Sequence, residues 1–249
     1  MRTFFALLTF LSVLTLNANA ETLEEKLQAA MAADIRTAEE VARDRNRRPA
    51  ETLAFFQMQD DMRVLELLPG GGWYSKLLAP VLRENGEFYV AIGTDRVRDM
   101  LMPEDGFDHI KVLDFDAELV RTEPFGVRDV APFELDIENL DLVVTFRNMH
   151  NFSSAGRMSV NKAVLASLKP GGLYGVVDHT RRHMEPMTSE NRRRADPVEI
   201  IREALDAGFE MVDFSSLHHR PDDELRYEVG RKTVTGNTDR FTLLFRKPE

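Results

Sequence analysis

Met62-Arg-Val-Leu-Glu-Leu-Leu-Pro-Gly-Gly-Gly-Trp-Tyr-Ser-Lys-Leu-Leu-Ala-Pro80 is the stretch on which the fold turns. Val64, Leu65, Leu67 and Leu68 make a short apolar run of the kind found in buried strands. Pro69 and Gly70 to Gly72 end it, and Trp73 to Leu82 continues with apolar residues at helical spacing. Strand, glycine turn and helix in that order form a nucleotide-binding crevice. The glycines admit a ligand close to the backbone, and the free N–H groups of the new helix face it. Glu66, at the end of the strand, is expected to point into that crevice and accept hydrogen bonds from a cationic or hydroxylated ligand.

Outward from this stretch, strand-like and helix-like segments alternate, which favours a parallel sheet covered on both faces. On the N-terminal side, Leu23, Leu27, Ala30, Met31 and Ile35 give Glu21 to Val41 helical spacing. Arg43 to Pro49 reads as a charged connector, with Pro49 suited to the first turn of a helix over Ala50 to Gln57. On the C-terminal side, strands are expected over residues 87–92, 110–115, 140–146, 173–177, 209–215 and 240–246. Short helical segments are expected over 96–102, 154–168 and 197–207. Asn85-Gly86, Lys169-Pro-Gly-Gly172 and Gly208 supply the turn and stop signals. Residues 117–139 have no clean periodicity. Met184 to Arg194 reads as a polar lid, and His218 to Thr238 as a connection long enough to fold over the crevice.

Residues 1–20 have the pattern of a cleaved signal peptide. Arg2 precedes the apolar run Thr3 to Leu16, and Ala18-Asn-Ala20 places small residues where a signal peptidase reads. The run is short for a bilayer anchor. The expectation is an exported protein, periplasmic in a Gram-negative host, with no stable membrane association after cleavage. With no cysteine, the chain has no disulfide framework. Its formal charge is −10, and loss of Arg2 makes it more acidic, which disfavours nucleic acid and anionic membranes as partners. The expected division is a signal peptide over 1–20, an N-terminal helical extension over 21–57, and one α/β domain over 58–249.

Two further clusters carry chemistry. The apolar strand Leu140 to Phe146 runs into Arg147-Asn-Met-His-Asn151, which places charged, amide and imidazole groups at the ligand edge of a parallel sheet. A capped turn, with Asn148 and Asn151 satisfying backbone groups, is the plainer reading. Asp178-His179 ends the neighbouring strand, and a carboxylate beside an imidazole can orient it as a general base. His150 and His179 are thus the candidate bases, with Asp178 as partner. His183, His218 and His219 add imidazoles, but without cysteine or a dense acid–histidine cluster no metal site is expected. Arg181-Arg182 and Arg192 to Arg194 read as a solvated face, or as a charge that draws an anionic substrate under the lid.

Val64-Leu-Glu-Leu-Leu-Pro-Gly-Gly-Gly-Trp73 resembles motif I of class I S-adenosylmethionine-dependent methyltransferases, and Leu168-Lys-Pro-Gly-Gly-Leu-Tyr-Gly-Val-Val-Asp178 resembles their fifth-strand motif. Arg147 to Asn151, Val177 to His179 and Thr238 to Pro248 are similar to segments of an exported subfamily of predicted methyltransferases. The likeness spans residues 47–249. It implies a three-layer, Rossmann-like, doubly wound sheet of about seven strands with the last strand antiparallel. It implies S-adenosylmethionine as cofactor, its amino-acid part over Gly70, Gly71, Gly72 and Glu66, with Tyr74, Arg147 and Asn148 nearby and a small-molecule methyl acceptor beyond.

The chain departs from the family pattern at two places. Leu68-Pro69 stands where the first glycine is usual, and the acid that binds the ribose falls near Ile92, leaving Asp95 as the nearest candidate. Asp116 occupies a place where the family often sets an acid near the adenine, and Asp129 also fits by spacing. No Asn-Pro-Pro-Tyr type motif follows Phe146, which disfavours methylation of base amines. The rival reading is an exported, non-catalytic small-ligand-binding protein on the same fold.

Overall fold

The computed structural model describes residues 21–249; the expected leader, residues 1–20, lies outside the described residues. Its strands are β1 (Arg63–Leu67), β2 (Glu87–Ala91), β3 (Lys111–Val112), β4 (Leu119–Arg121), β5 (Arg128–Val130), β6 (Leu140–Phe146), β7 (Leu168–His179), β8 (Glu210–Ser215) and β9 (Arg240–Arg246). Seven of them form one sheet in the order β3-β2-β1-β6-β7-β9-β8. β1 lies parallel between β2 and β6, with Leu65 opposite both Tyr89 and Val143. β9 runs antiparallel to both of its neighbours. The chain winds outward through β1, β2 and β3, then returns to lay β6 on the other side of β1. That reversal is a topological switch point, and it opens a crevice at the carboxyl ends of β1 and β6.

Alternation along the strands sends side chains to two faces. Val64, Phe88, Val90, Leu142 and Val144 join one core with Leu27 of α1 (Leu23–Ala32), Leu53 of α4 (Pro49–Phe55) and Leu77 and Leu78 of α5 (Ser75–Leu82). Leu65, Tyr89, Val143 and Tyr174 join the other with Val160 and Val164 of α6 (Ser154–Ser167) and Ile200 and Ala204 of α7 (Pro197–Ala207). The doubly wound, three-layer α/β fold expected from the sequence is therefore the one present.

The N-terminal helices share the first core. Phe56 is fully buried, and a Cβ on Gly175 would lie 2.7 Å from its ring, so the missing side chain in β7 lets that ring lie flat on the sheet. No helix among the described residues is long and apolar enough to cross a membrane.

Four segments differ from the sequence expectation, the simplest being the strand expected over 110–115, which is reduced to Lys111–Val112. The helix expected over 21–41 is two, α1 and α2 (Ala38–Ala42), followed by the single turn α3 (Asp44–Arg47). The cause is a second capping box: Thr37 caps the backbone of Glu40, and the Glu40 side chain returns to the backbone of Thr37, starting a new helix. Within 117–139, β4 and β5 pair as an antiparallel hairpin outside the main sheet. β7 is much longer than its apolar run, starting at Leu168 and passing through Gly171-Gly172.

Candidate functional site

Three non-glycine residues adopt left-handed backbone just beyond the strand ends: Leu68 (φ 52°) after β1, Ile92 (φ 64°) after β2 and Arg147 (φ 66°) after β6. Such conformations cost about 1–3 kcal/mol each and persist where surrounding bonds over-determine them. At Leu68 and Arg147 such bonds are present. The Leu68 N–H donates to the Ala91 carbonyl (2.9 Å), and the Arg147 N–H to that of Val177 (2.7 Å). Asn148 Nδ2 lies within 3.3 Å of the Leu67 carbonyl and 3.2 Å of that of Leu68. Asn148 thus clamps β6 to β1 and holds the mouth of the crevice in shape.

A first cleft of about 290 Å³ opens at this mouth, with Glu66, Gly70, Gly71, Tyr74, Arg147 and Asn148 in its wall. Arg96 and the N-terminal residues Glu40, Arg43 and Arg47 also line it. A Cβ on Gly70 or Gly71 would meet nothing within 4 Å, so bare backbone faces open space at both. Gly72 has a different duty: its Cβ would lie 3.0 Å from Leu101 Cδ2, so it serves close packing. Tyr74 is buried and stacks on Phe146, ring centroids 3.5 Å apart. Trp73 packs against the guanidinium groups of Arg36 and Arg47, 5.0 and 4.2 Å from its ring centroid.

Glu66 is 3% exposed, and its carboxylate accepts a 2.6 Å hydrogen bond from Ser75 Oγ. Burial pushes its pKa up to about 7, against the opposing effects of Ser75 and Arg47. The group is therefore poised to ionise when a cation arrives to offset its desolvation.

A second cleft of about 280 Å³ shares Arg43, Arg47 and Arg147 with the first. Its remaining wall includes His179 at the end of β7, Thr238 and Arg240 at the start of β9, Arg193, and the backbone around Gly230 and Gly236. His179 Nδ1 is 2.9 Å from Thr238 Oγ1. Burial, and then the charges of Arg240, His150 and Arg147, hold His179 well below the usual imidazole pKa, so it is neutral at pH 7.

Beside it, the fully buried Asp178 accepts from His150 Nδ1 (2.6 Å), from the His150 N–H (2.8 Å) and from the His179 N–H (2.7 Å). The carboxylate can only accept, which places the His150 proton on Nδ1. The two imidazole rings lie 5.9 Å apart.

The structure therefore brings Glu66, Gly70, Gly71, Tyr74, Arg147 and Asn148 together in one cleft and His179 into the next. His150 and Asp178 are buried next to His179 and line neither cleft. Asp95 and Asp116 are exposed and line neither cleft. Asp129 accepts from Ser153 Oγ at the cap of α6.

The remaining histidines and arginines of the sequence reading mostly serve elsewhere. His183 pairs with Asp196, His219 with Asp239, and His218 lies between the Arg47 carbonyl and Thr242. Arg181 pairs with Glu199, and Arg194 with Asp223, fully buried. Arg193 pairs with Glu228 yet borders the second cleft, as does the 229–238 segment of the connection expected to cover the crevice.

Arg47 and Arg240 were not among the expected site residues. The one lay in a charged connector and the other in a terminal strand, and only the arginine density of Arg43 to Arg48 hinted at a role.

The fold is shared with solved methyltransferase structures. A SAM-dependent methyltransferase from Aquifex aeolicus matches with a TM-score of 0.53 at 14% identity, over 80% of this chain and 89% of that one. The cyclase SpnF matches with 0.55 at 16%, over 91% and 93%. The glycopeptide N-methyltransferase MtfA, complexed with S-adenosyl-L-methionine, matches with 0.53 at 17%, over 81% and 87%. No protein-family model and no curated protein matches the sequence. At these identities the likeness establishes the class I methyltransferase fold.

Proposed function

We propose that the chain is an S-adenosylmethionine-dependent methyltransferase acting on a small molecule, with the first cleft as the cofactor seat. The observation that carries this reading is the buried Glu66 carboxylate beside the open backbone of Gly70 and Gly71. A carboxylate with its pKa near 7 and, among the described residues, no cationic partner in hydrogen-bond contact suits an α-ammonium group. The open glycines suit the amino-acid chain that carries it. MtfA, on the same fold, has been solved in complex with this cofactor.

The bound cofactor supplies an electrophilic methyl group, so the protein's task is placement and exclusion of water. Glu66, Gly70 and Gly71 hold the amino-acid end. Trp73, Tyr74 and the N-terminal arginines close the cleft over it. His179, neutral and without a hydrogen bond at Nε2 among the described residues, accepts the proton that the acceptor loses. Asp178 fixes the backbone at both histidines and the orientation of His150.

Titration calorimetry with S-adenosylhomocysteine tests the seat. Gly71 has no left-handed φ and faces open space, so Gly71→Trp fills the cleft without straining the backbone. It is expected to abolish binding. In the unliganded protein Glu66 is half protonated near pH 7. Affinity should therefore rise by up to about tenfold per pH unit below 7 and level off above it. Glu66→Gln should flatten that dependence. Undiminished binding by Gly71→Trp would remove the glycine turn from the reading.

A further inference from the structure

We infer that the second cleft seats an oxyanion, the carboxylate or phosphate group of the methyl acceptor, held by Arg47, Arg147 and Arg240 beside His179. That the anion belongs to an acceptor rests on the proposed methyl transfer; the anion seat itself rests on the residues of the cleft.

The chain carries 42 acidic side chains, and four buried arginines have found them: Arg36 with Asp44, Arg157 with Glu203, Arg181 with Glu199 and Arg194 with Asp223. Arg47, Arg147 and Arg240 have not. Among the described residues none of the three makes a salt bridge, and the side chains of Arg47 and Arg147 make no hydrogen bond. Arg47 is 4% exposed, with its guanidinium over the Trp73 face. Arg240 is 7% exposed; its Nη1 donates to the Asn46 carbonyl (2.9 Å), while its Nε is buried with no partner. Asp178 acts on Arg147 and Arg240 through its field, but its oxygens already accept three N–H donors.

The three cations therefore face one another across a hollow. Burial first, and Arg147 next, bring Arg47 down to about 9 and Arg240 down to about 10. Like charges held together away from water are costly unless a counter-charge completes the site. Planar guanidinium forks match carboxylate and phosphate oxygens in geometry as well as charge.

The cofactor's own carboxylate could satisfy Arg47 and Arg147, which border both clefts, but Arg240 and His179 border only the second. An anion at Arg240 thus sets the rest of its molecule beside the imidazole that takes the proton. The transfer then balances without another reagent. The acceptor's nucleophilic atom bonds to the methyl carbon, the carbon–sulfur bond breaks with its electron pair left on sulfur, and the acceptor's proton passes to His179 Nε2.

The test is calorimetric titration of the protein, saturated with S-adenosylhomocysteine, with inorganic phosphate and separately with malonate, at constant ionic strength. The expected result is saturable 1:1 binding of at least one of the two. Phosphate alone marks a phosphoryl acceptor and malonate alone a carboxylate; both mark the shared oxyanion chemistry. Arg240→Met should weaken binding at least tenfold.

That residue is buried, so an exposed position on the cleft wall gives a second variant that spares the core. Thr235→Glu places a carboxylate in the hollow and should also cost at least tenfold, while Thr235→Gln stays within threefold. Binding of neither anion, or equal binding by wild type and Thr235→Glu, overturns the anion seat. Should S-adenosylhomocysteine fail to bind while the anions still do, the methyl-transfer reading falls and the seat stands.

Discussion

Leu68 carries a conformational cost that its residue type conceals. The sequence shows a leucine where the family pattern has glycine, and the structure shows why glycine is usual: φ is 52°, a region in which a side chain is strained. Replacing Leu68 with glycine relieves the strain but gives up a half-buried side chain. We expect Leu68→Gly to unfold in urea within about 1 kcal/mol of wild type, whereas Leu67→Gly, in the fully buried strand, should lose about 3 kcal/mol or more. Equal losses at the two positions would contradict the strain assignment. Glu66 could be placed from the sequence because strand and turn fix where its Cβ points. Arg47 and Arg240 could not, since each reaches the site only through contacts distant in sequence. The lack of an acid at Ile92 is visible in the sequence, and Asp95, the nearest one along the chain, faces solvent.

Among the elements, some were readable to the residue from patterning and caps, although the expected 173–177 strand extends to Leu168–His179. β6 and α7 begin and end where patterning and caps put them. Failures fell where a side-chain cap or a distant partner decides the outcome. The first helix stops at Ala32, and Thr37 caps the start of another, inside a stretch whose apolar spacing looks continuous. The hairpin of β4 and β5 is stabilised by pairing that no local period announces. The N-terminal segment contributes Glu40, Arg43 and Arg47 to the wall of the first cleft, and Phe56 against Gly175 anchors it to the sheet. Phe56→Ala should lower stability by about 3–5 kcal/mol and weaken S-adenosylhomocysteine binding, read by urea unfolding and calorimetry. A loss under about 1 kcal/mol would mean that the helices dock independently of that ring.

Taken as a whole, the molecule is acidic, with arginines concentrated around one cleft. A formal charge of −10 coexists with a group of arginines gathered at the carboxyl edge of the sheet. The fold class was readable because a single strand–turn–helix unit and repeated alternation leave few arrangements open, while the antiparallel last strand came only from the resemblance. The division of the crevice into two clefts was not, because it depends on where the N-terminal turn α3 and the 229–238 segment come to rest. The central claim is that the first cleft holds an adenosyl amino acid. It is tested most directly by a crystal structure of the protein with S-adenosylhomocysteine. The account predicts the ligand's ammonium group within hydrogen-bond reach of Glu66 and its chain over Gly70 and Gly71. Ligand bound elsewhere, or an empty cleft at saturating concentration, would contradict it.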